Sequence, residues 1–147
     1  MRPLVKIVPS VVLVACVVSG CVSPAWDDHD YGLKAGASAQ AVASNVEIVR
    51  LAVRDHAELT SPYLKSLLTQ AVEDIGNVNQ QFGGVQPPSD VSDRLRTQVT
   101  DLTTEAEDEV QDLLIQVRRN GLRDPAQAET KLGKLAEKLR AIEEAHR

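Results

Sequence analysis

From residue 35 onward the apolar residues of this chain return every three or four positions, in four runs separated by proline and glycine. That spacing is the period of one face of an α-helix. A chain so patterned has few options except helices packed on helices. The first run steps through Ala35, Ala39, Val42, Val46, Val49 and Val53, with Ala41, Ile48 and Ala52 widening the stripe. The second opens at Ser61-Pro62, a capping residue followed by proline at the first helical position, and continues through Leu64, Leu68, Ala71, Ile75 and Phe82 to Gly83-Gly84. The third follows Pro87-Pro88 with Ser89 as its cap and runs through Val91, Leu95, Val99, Ala106 and Val110 to Asn120-Gly121. The fourth opens at Asp124-Pro125, has Gln127 in the capping-box position, and repeats Ala128, Leu132, Leu135, Leu139 and Ile142.

None of the four runs shows the strict alternation of a half-buried strand. The links between them are short, so neighbours in sequence pack antiparallel. The expected fold is all-α, an up-down-up-down antiparallel four-helix bundle over residues 35–147. The third helix, about 30 residues and so roughly 45 Å, is expected to be the longest. Its middle carries Asp101, Glu105, Glu107, Asp108, Glu109 and Asp112 without a base among them, whereas Arg118, Arg119, Arg123, Lys131, Lys134, Lys138 and Arg140 dominate its end and the fourth helix. Opposed in a hairpin, these charges favour pairing of the last two helices, although each exposed pair contributes only about 0–1 kcal/mol.

Ahead of the bundle, "VVSGC" ends a short apolar stretch. Arg2 and Lys6 make a positive start, Ile7 to Val18 is mostly apolar, and small residues precede Cys21. This is the layout of a secretory signal peptide over residues 1–20. It is shorter than the about 20 apolar residues of a membrane span. The four residues Val18-Ser19-Gly20-Cys21 resemble the lipobox of bacterial lipoproteins. That resemblance implies cleavage between Gly20 and Cys21 and a diacylglyceryl group on the Cys21 sulfur, whose thiolate is the nucleophile. The protein would then be extracytoplasmic and held to the cell membrane by covalent lipid, with no other cofactor. An uncleaved anchor and a plain secreted form are the other readings of the same leader. Cys16, the second of two cysteines, would leave with the leader, so the mature chain has no disulfide.

Val22 to Gly36 is rich in Pro, Gly and Asp and carries no helical period. Residues 21–34 therefore read as a lipidated cysteine on a flexible tether, and from Val22 to Gly32 such a tether spans at most about 40 Å. Asp27, Asp28, His29 and Asp30 within it suggest a metal site, but adjacent residues on a flexible strand do not converge readily on one ion.

The formal charge of −5 becomes −7 when Arg2 and Lys6 leave with the leader. An acidic domain has no electrostatic reason to hold nucleic acid or an anionic lipid surface. Aromatics at 3% are too few for the usual lining of a deep ligand pocket. No nucleophile elbow, phosphate-cradling glycine loop or Cys-x-x-Cys occurs, so no catalytic residue is assigned. His56 continues the apolar step of the first helix, in whose body it is placed, and reads as a packed or end-of-stripe residue rather than a catalyst. Glu143-Glu144-Ala145-His146 matches half of a carboxylate di-metal motif once, at the C-terminus, and no metal ligand is assigned.

The stretch from Ser61 to Val99 resembles small helical envelope proteins of actinobacteria. Pro62 and Tyr63 at a helix start, Glu73 and Asp74 near its middle, Phe82, Val85, Gln86, Pro87 and Pro88 at the turn, then Asp93, Leu95 and Arg96 carry the resemblance. That family has no assigned activity, so the resemblance implies location and fold alone. Two prolines stiffen the turn. Phe82, Gln86, Pro87 and Pro88 are its candidate interaction residues. The expected function is a non-enzymatic interaction or accessory module with a protein partner in the envelope. The alternative is a bundle that binds a small ligand or metal between its helices.

Overall fold

Three of the four helices start at a side chain that accepts from their first amides. The computed structural model describes residues 25–147, and Gly20 and Cys21 lie outside them. Four α-helices follow one another: α1 (Asp28–Arg54), α2 (Ser61–Gly83), α3 (Asp90–Arg119) and α4 (Pro125–Ala145), with a 3-10 turn at His56–Glu58. Asp27 caps α1 by accepting from the Asp30 amide, Ser89 caps α3 by accepting from Val91 and Ser92, and Asp124 caps α4 by accepting from Gln127. At α2 the cap position falls on Thr60, one residue before the expected Ser61, and the Thr60 side chain makes no capping bond.

The fold is an all-α four-helix bundle, with no strand among the described residues. Its core takes one stripe from each helix, including Val42, Val46 and Val49 of α1, Leu68 and Ile75 of α2, Val99 and Val110 of α3, and Leu132, Leu135 and Leu139 of α4. Each fully buried aliphatic side chain contributes roughly 1.5–3 kcal/mol before chain entropy is subtracted. α1 is the hub: it touches all three other helices and shares its most extensive contact with α4. Small residues make that closeness possible. Gly32, Ala35, Gly36, Ala39 and Ala43 are all buried, and a Cβ on Gly36 would lie 2.8 Å from the His146 carbonyl oxygen. α3, with 30 residues, is the longest helix, as expected.

Three expectations about the first helix need correction. α1 begins at Asp28, not Ala35, so residues 28–34 of the expected tether are helix. Tyr31 and Gly32 inside this first turn are fully covered, and it is this non-local packing that outweighs the poor helical propensity of Asp and Gly. Ile48 points outward, 53% exposed, rather than widening the buried stripe. His56 lies beyond the end of α1, where its Nδ1 is 2.8 Å from the Val53 carbonyl oxygen. That ring nitrogen occupies an acceptor that a continuing helix would offer to residue 57.

The charges of the last two helices meet as expected through Lys131–Glu109 and, at 3.9 Å, Lys138–Glu105. They do not decide the main pairing, because α3 and α4 share a far smaller contact than α1 and α4. An ionic link also crosses α1 to α4, where Arg50 bonds Glu47 at 2.7 Å and Glu129 at 2.9 Å.

Candidate functional site

Antiparallel helices divide the molecule into two ends. One gathers the start of α1, the α2–α3 turn and the C-terminus. The other gathers the end of α1, the start of α2 and the α3–α4 link. Candidate residues occur at both ends.

The end bearing the α1 N-terminus is stitched by polar bonds. Asp28 Oδ1 accepts from Ser89 Oγ at 2.5 Å and from Ser92 Oγ at 2.6 Å. Those two hydroxyls hold the Asp28 carboxyl below its usual pKa range. Asp30 accepts from the Trp26 amide and lies 3.7 Å from Lys34 Nζ. With Asp27 spent on the cap, the acidic run has local partners, and none of its members belongs to a metal-holding group among the described residues. Arg96 Nη2 donates to the Gly83 carbonyl at 2.9 Å, satisfying the end of α2 from the first turns of α3.

Beneath this seam Tyr31 meets Phe82, with ring centroids 5.4 Å apart and planes tilted by 50°. Phe82 is buried, so it is a core residue; its place in an exposed interaction turn is corrected. Of the other turn residues Gln86 and Pro88 are exposed, Pro87 is half-buried, and Val85 is buried with Phe82. The Tyr31 hydroxyl is enclosed without a hydrogen-bond partner, and burial pushes its pKa up. Trp26, two residues before α1, is 88% exposed.

At the opposite end lie an apolar groove and a basic cleft. The groove runs between the end of α1 and the start of α2, lined by Ile48, Leu51, Leu59, Tyr63 and Leu67. Ile48 and Tyr63 are each more than half exposed. Beyond it, a cleft of about 390 Å³ is lined by His56, Ser61, Lys65, Arg118 and Arg119 over an apolar floor that includes Leu64 and Val117. No acidic residue lines it. A third hollow, about 290 Å³ between α3 and α4, mixes Glu109, Asp112 and Asp124 with Arg123 and Lys131.

The three histidines stand apart. His29 is in the first turn of α1, His56 lines the basic cleft, and His146 packs its ring against Gly32. Sequence reasoning missed both the cleft and the seam. The cleft is assembled from three separate segments, and nothing in the local pattern of Asp28 points to Ser89 and Ser92 more than sixty residues away. Comparison with protein-family models, curated proteins and solved structures returns no match.

Proposed function

We propose that this chain is an envelope lipoprotein, held outside the cytoplasmic membrane by lipid on Cys21, that works by binding a protein partner rather than by catalysis. Val18-Ser19-Gly20-Cys21 supports the anchor. No described helix is long and apolar enough to cross a membrane. With α1 starting at Asp28, the seven residues from Cys21 reach at most about 25 Å, in place of the longer tether. The end carrying Trp26 then faces the bilayer, where tryptophan suits the boundary between headgroups and water. The 27 residues of α1 carry the other end roughly 40 Å further out.

The observation that carries the binding reading is the apolar groove at that outer end. Ile48, Leu51 and Tyr63 remain exposed side by side on a chain whose residues are 25% charged. Grouped exposed apolar side chains are the usual mark of a contact surface. The actinobacterial resemblance of Ser61 to Val99 agrees with an envelope location.

Photo-crosslinking in living cells tests this reading. A crosslinker at Ile48 or Tyr63 should trap one defined envelope protein, while the same group at Lys138 should not. Ile48→Lys should abolish the adduct, and Cys21→Ala should reduce it by releasing the protein from the membrane. Equal labelling from all three positions would reject the groove, and a mature Cys21 without lipid by mass spectrometry would reject the anchor.

A further inference from the structure

We infer that the cleft beside His56 is a binding site for a small organic anion, one with a phosphate or carboxylate group joined to an apolar body. The inference does not depend on lipid at Cys21 or on a partner at the groove. Lys65, Arg118 and Arg119 bring three positive charges to a cleft of about 390 Å³, and His56 adds a fourth nitrogen base. Among the described residues none of the four lies within 4.0 Å of a carboxylate. Arg118 has a neutral partner instead, donating to Thr69 Oγ1 at 3.4 Å. What sets these bases apart is that they share one cleft with no carboxylate in its lining.

The surroundings keep the cleft positive. Asp55, the acid nearest in sequence to His56, is occupied by Arg54 at 2.7 Å. α2 opens into the same cleft through Ser61, and its first turn holds no acidic side chain. The partial positive charge of that helix start adds to the bases, while the carbonyl end of α3, which also lines the cleft, offsets part of it. Arg118 and Arg119 also suit the last turn of α3, where bases complement the helix dipole. Lys65 and His56 come from other segments, and no such pattern requires them to gather there.

Chemistry then selects the ligand class. Guanidinium forks pair best with planar or tetrahedral oxyanions, in two parallel bonds. The floor is apolar, with Leu64 and Val117 buried beneath the bases. A bare ion leaves that floor wet, whereas an aryl or alkyl body covers it. The volume lies at the small end of the usual range for small-molecule sites, about 300–1,000 Å³.

Calorimetric and NMR titration of the full chain with phenyl phosphate, inorganic phosphate, benzoate and neutral benzyl alcohol tests the assignment. Phenyl phosphate should bind saturably and more tightly than inorganic phosphate, shifting amides of residues 56, 65, 119 and 121 and sparing the Trp26 indole. Lys65→Gln and Arg119→Gln should each weaken it about tenfold, as expected for one lost charge-assisted contact. Lys138→Gln, away from the cleft, should leave it unchanged. Benzyl alcohol shifting the same amides equally would show an apolar cleft without anion selectivity. Shifts that never saturate and are reproduced by chloride would show charge screening alone. Either result overturns the inference.

Discussion

The two ends of this bundle use polar residues in opposite ways. At the α1 N-terminus carboxylates have been given partners: Asp27 caps a helix, Asp28 receives two serine hydroxyls, and Asp30 lies near Lys34. At the far end Lys65, Arg118 and Arg119 face a cleft with no carboxylate in its lining. Apolar residues divide less cleanly: Tyr31 and Phe82 are sealed at one end, but Trp26 and Val91 are left in solvent there, as Ile48 and Tyr63 are at the other. Carboxylates given nearby donors hold structure together, and bases that share a cleft without a carboxylate are available to an anion. On this comparison substitutions at the first end should move stability, and those at the second should move binding.

The two tyrosines give the largest contrast. Tyr31→Ala should lower unfolding free energy in urea melts by about 3–5 kcal/mol, as truncation of large buried aromatics does. Tyr63→Ala should stay within about 0.5 kcal/mol. Comparable losses would erase the division between the ends. Tyr31→Phe is the finer probe. The enclosed hydroxyl has no partner, so removing it should raise stability by about 1 kcal/mol. A loss would mean that the hydroxyl has a partner, such as an enclosed water.

The seam gives a smaller effect. Ser92 is 2% exposed and donates to Asp28, so Ser92→Ala should cost about 1–2 kcal/mol. Lys65→Gln together with Arg119→Gln should leave the melting temperature unchanged or slightly raised, because like charges are being separated. A large drop for the double variant would mark the cleft bases as structural.

Acid titration compares the same regions without depending on a cavity. The Asp28 carboxyl has a lowered pKa in the folded protein because Ser89 and Ser92 donate to it. Its contribution is therefore complete above the unfolded value, about pH 4, and is lost as pH falls through the folded value. Glu47 behaves in the same direction through Arg50, and Asp55 through Arg54. Asp28→Asn should flatten the fall of stability below about pH 4, with Glu47 and Asp55 supplying what slope remains. An unaltered acid limb would show that the serines bind the neutral acid as well as the carboxylate.

Period and punctuation explain why most of the fold is legible in the sequence. Leu64, Leu68, Ala71 and Ile75, or Leu132, Leu135, Leu139 and Ile142, mark a helical face with no help from the rest of the chain. Ser89 and Asp124 announce helix starts by local chemistry. The start of α1 is hidden because its stabilising contacts are distant: Tyr31 packs on Phe82 and Gly32 lies under His146. Phe82 is misread for the same reason. It ends an apolar stripe beside a glycine pair, and only Tyr31 shows that it points inward. The basic cleft has no local signal at all, since His56, Lys65 and Arg118 are neighbours only once α1, α2 and α3 have packed.

The smallest effect tests whether that distant packing sets the glycines of α1. Alanine favours a helix interior by about 1 kcal/mol over glycine. At Gly36 a Cβ would meet the His146 carbonyl oxygen at 2.8 Å, too close to be accommodated without movement. The obstacle is backbone, but it belongs to His146, just past the end of α4, and is relieved if that residue moves away from α1. Gly36→Ala should therefore be nearly neutral in the full chain, with the gain in propensity offset by the lost docking of His146. Removing His146 and Arg147 takes away the obstacle, and Gly36→Ala should then stabilise the shortened protein by about 1 kcal/mol. This difference between backgrounds is a coupling between residues 36 and 146, readable as a double-mutant cycle in urea. Equal gains in both backgrounds would mean that His146 does not rest on α1 in solution, and equal losses that Gly36 is needed for some contact other than His146.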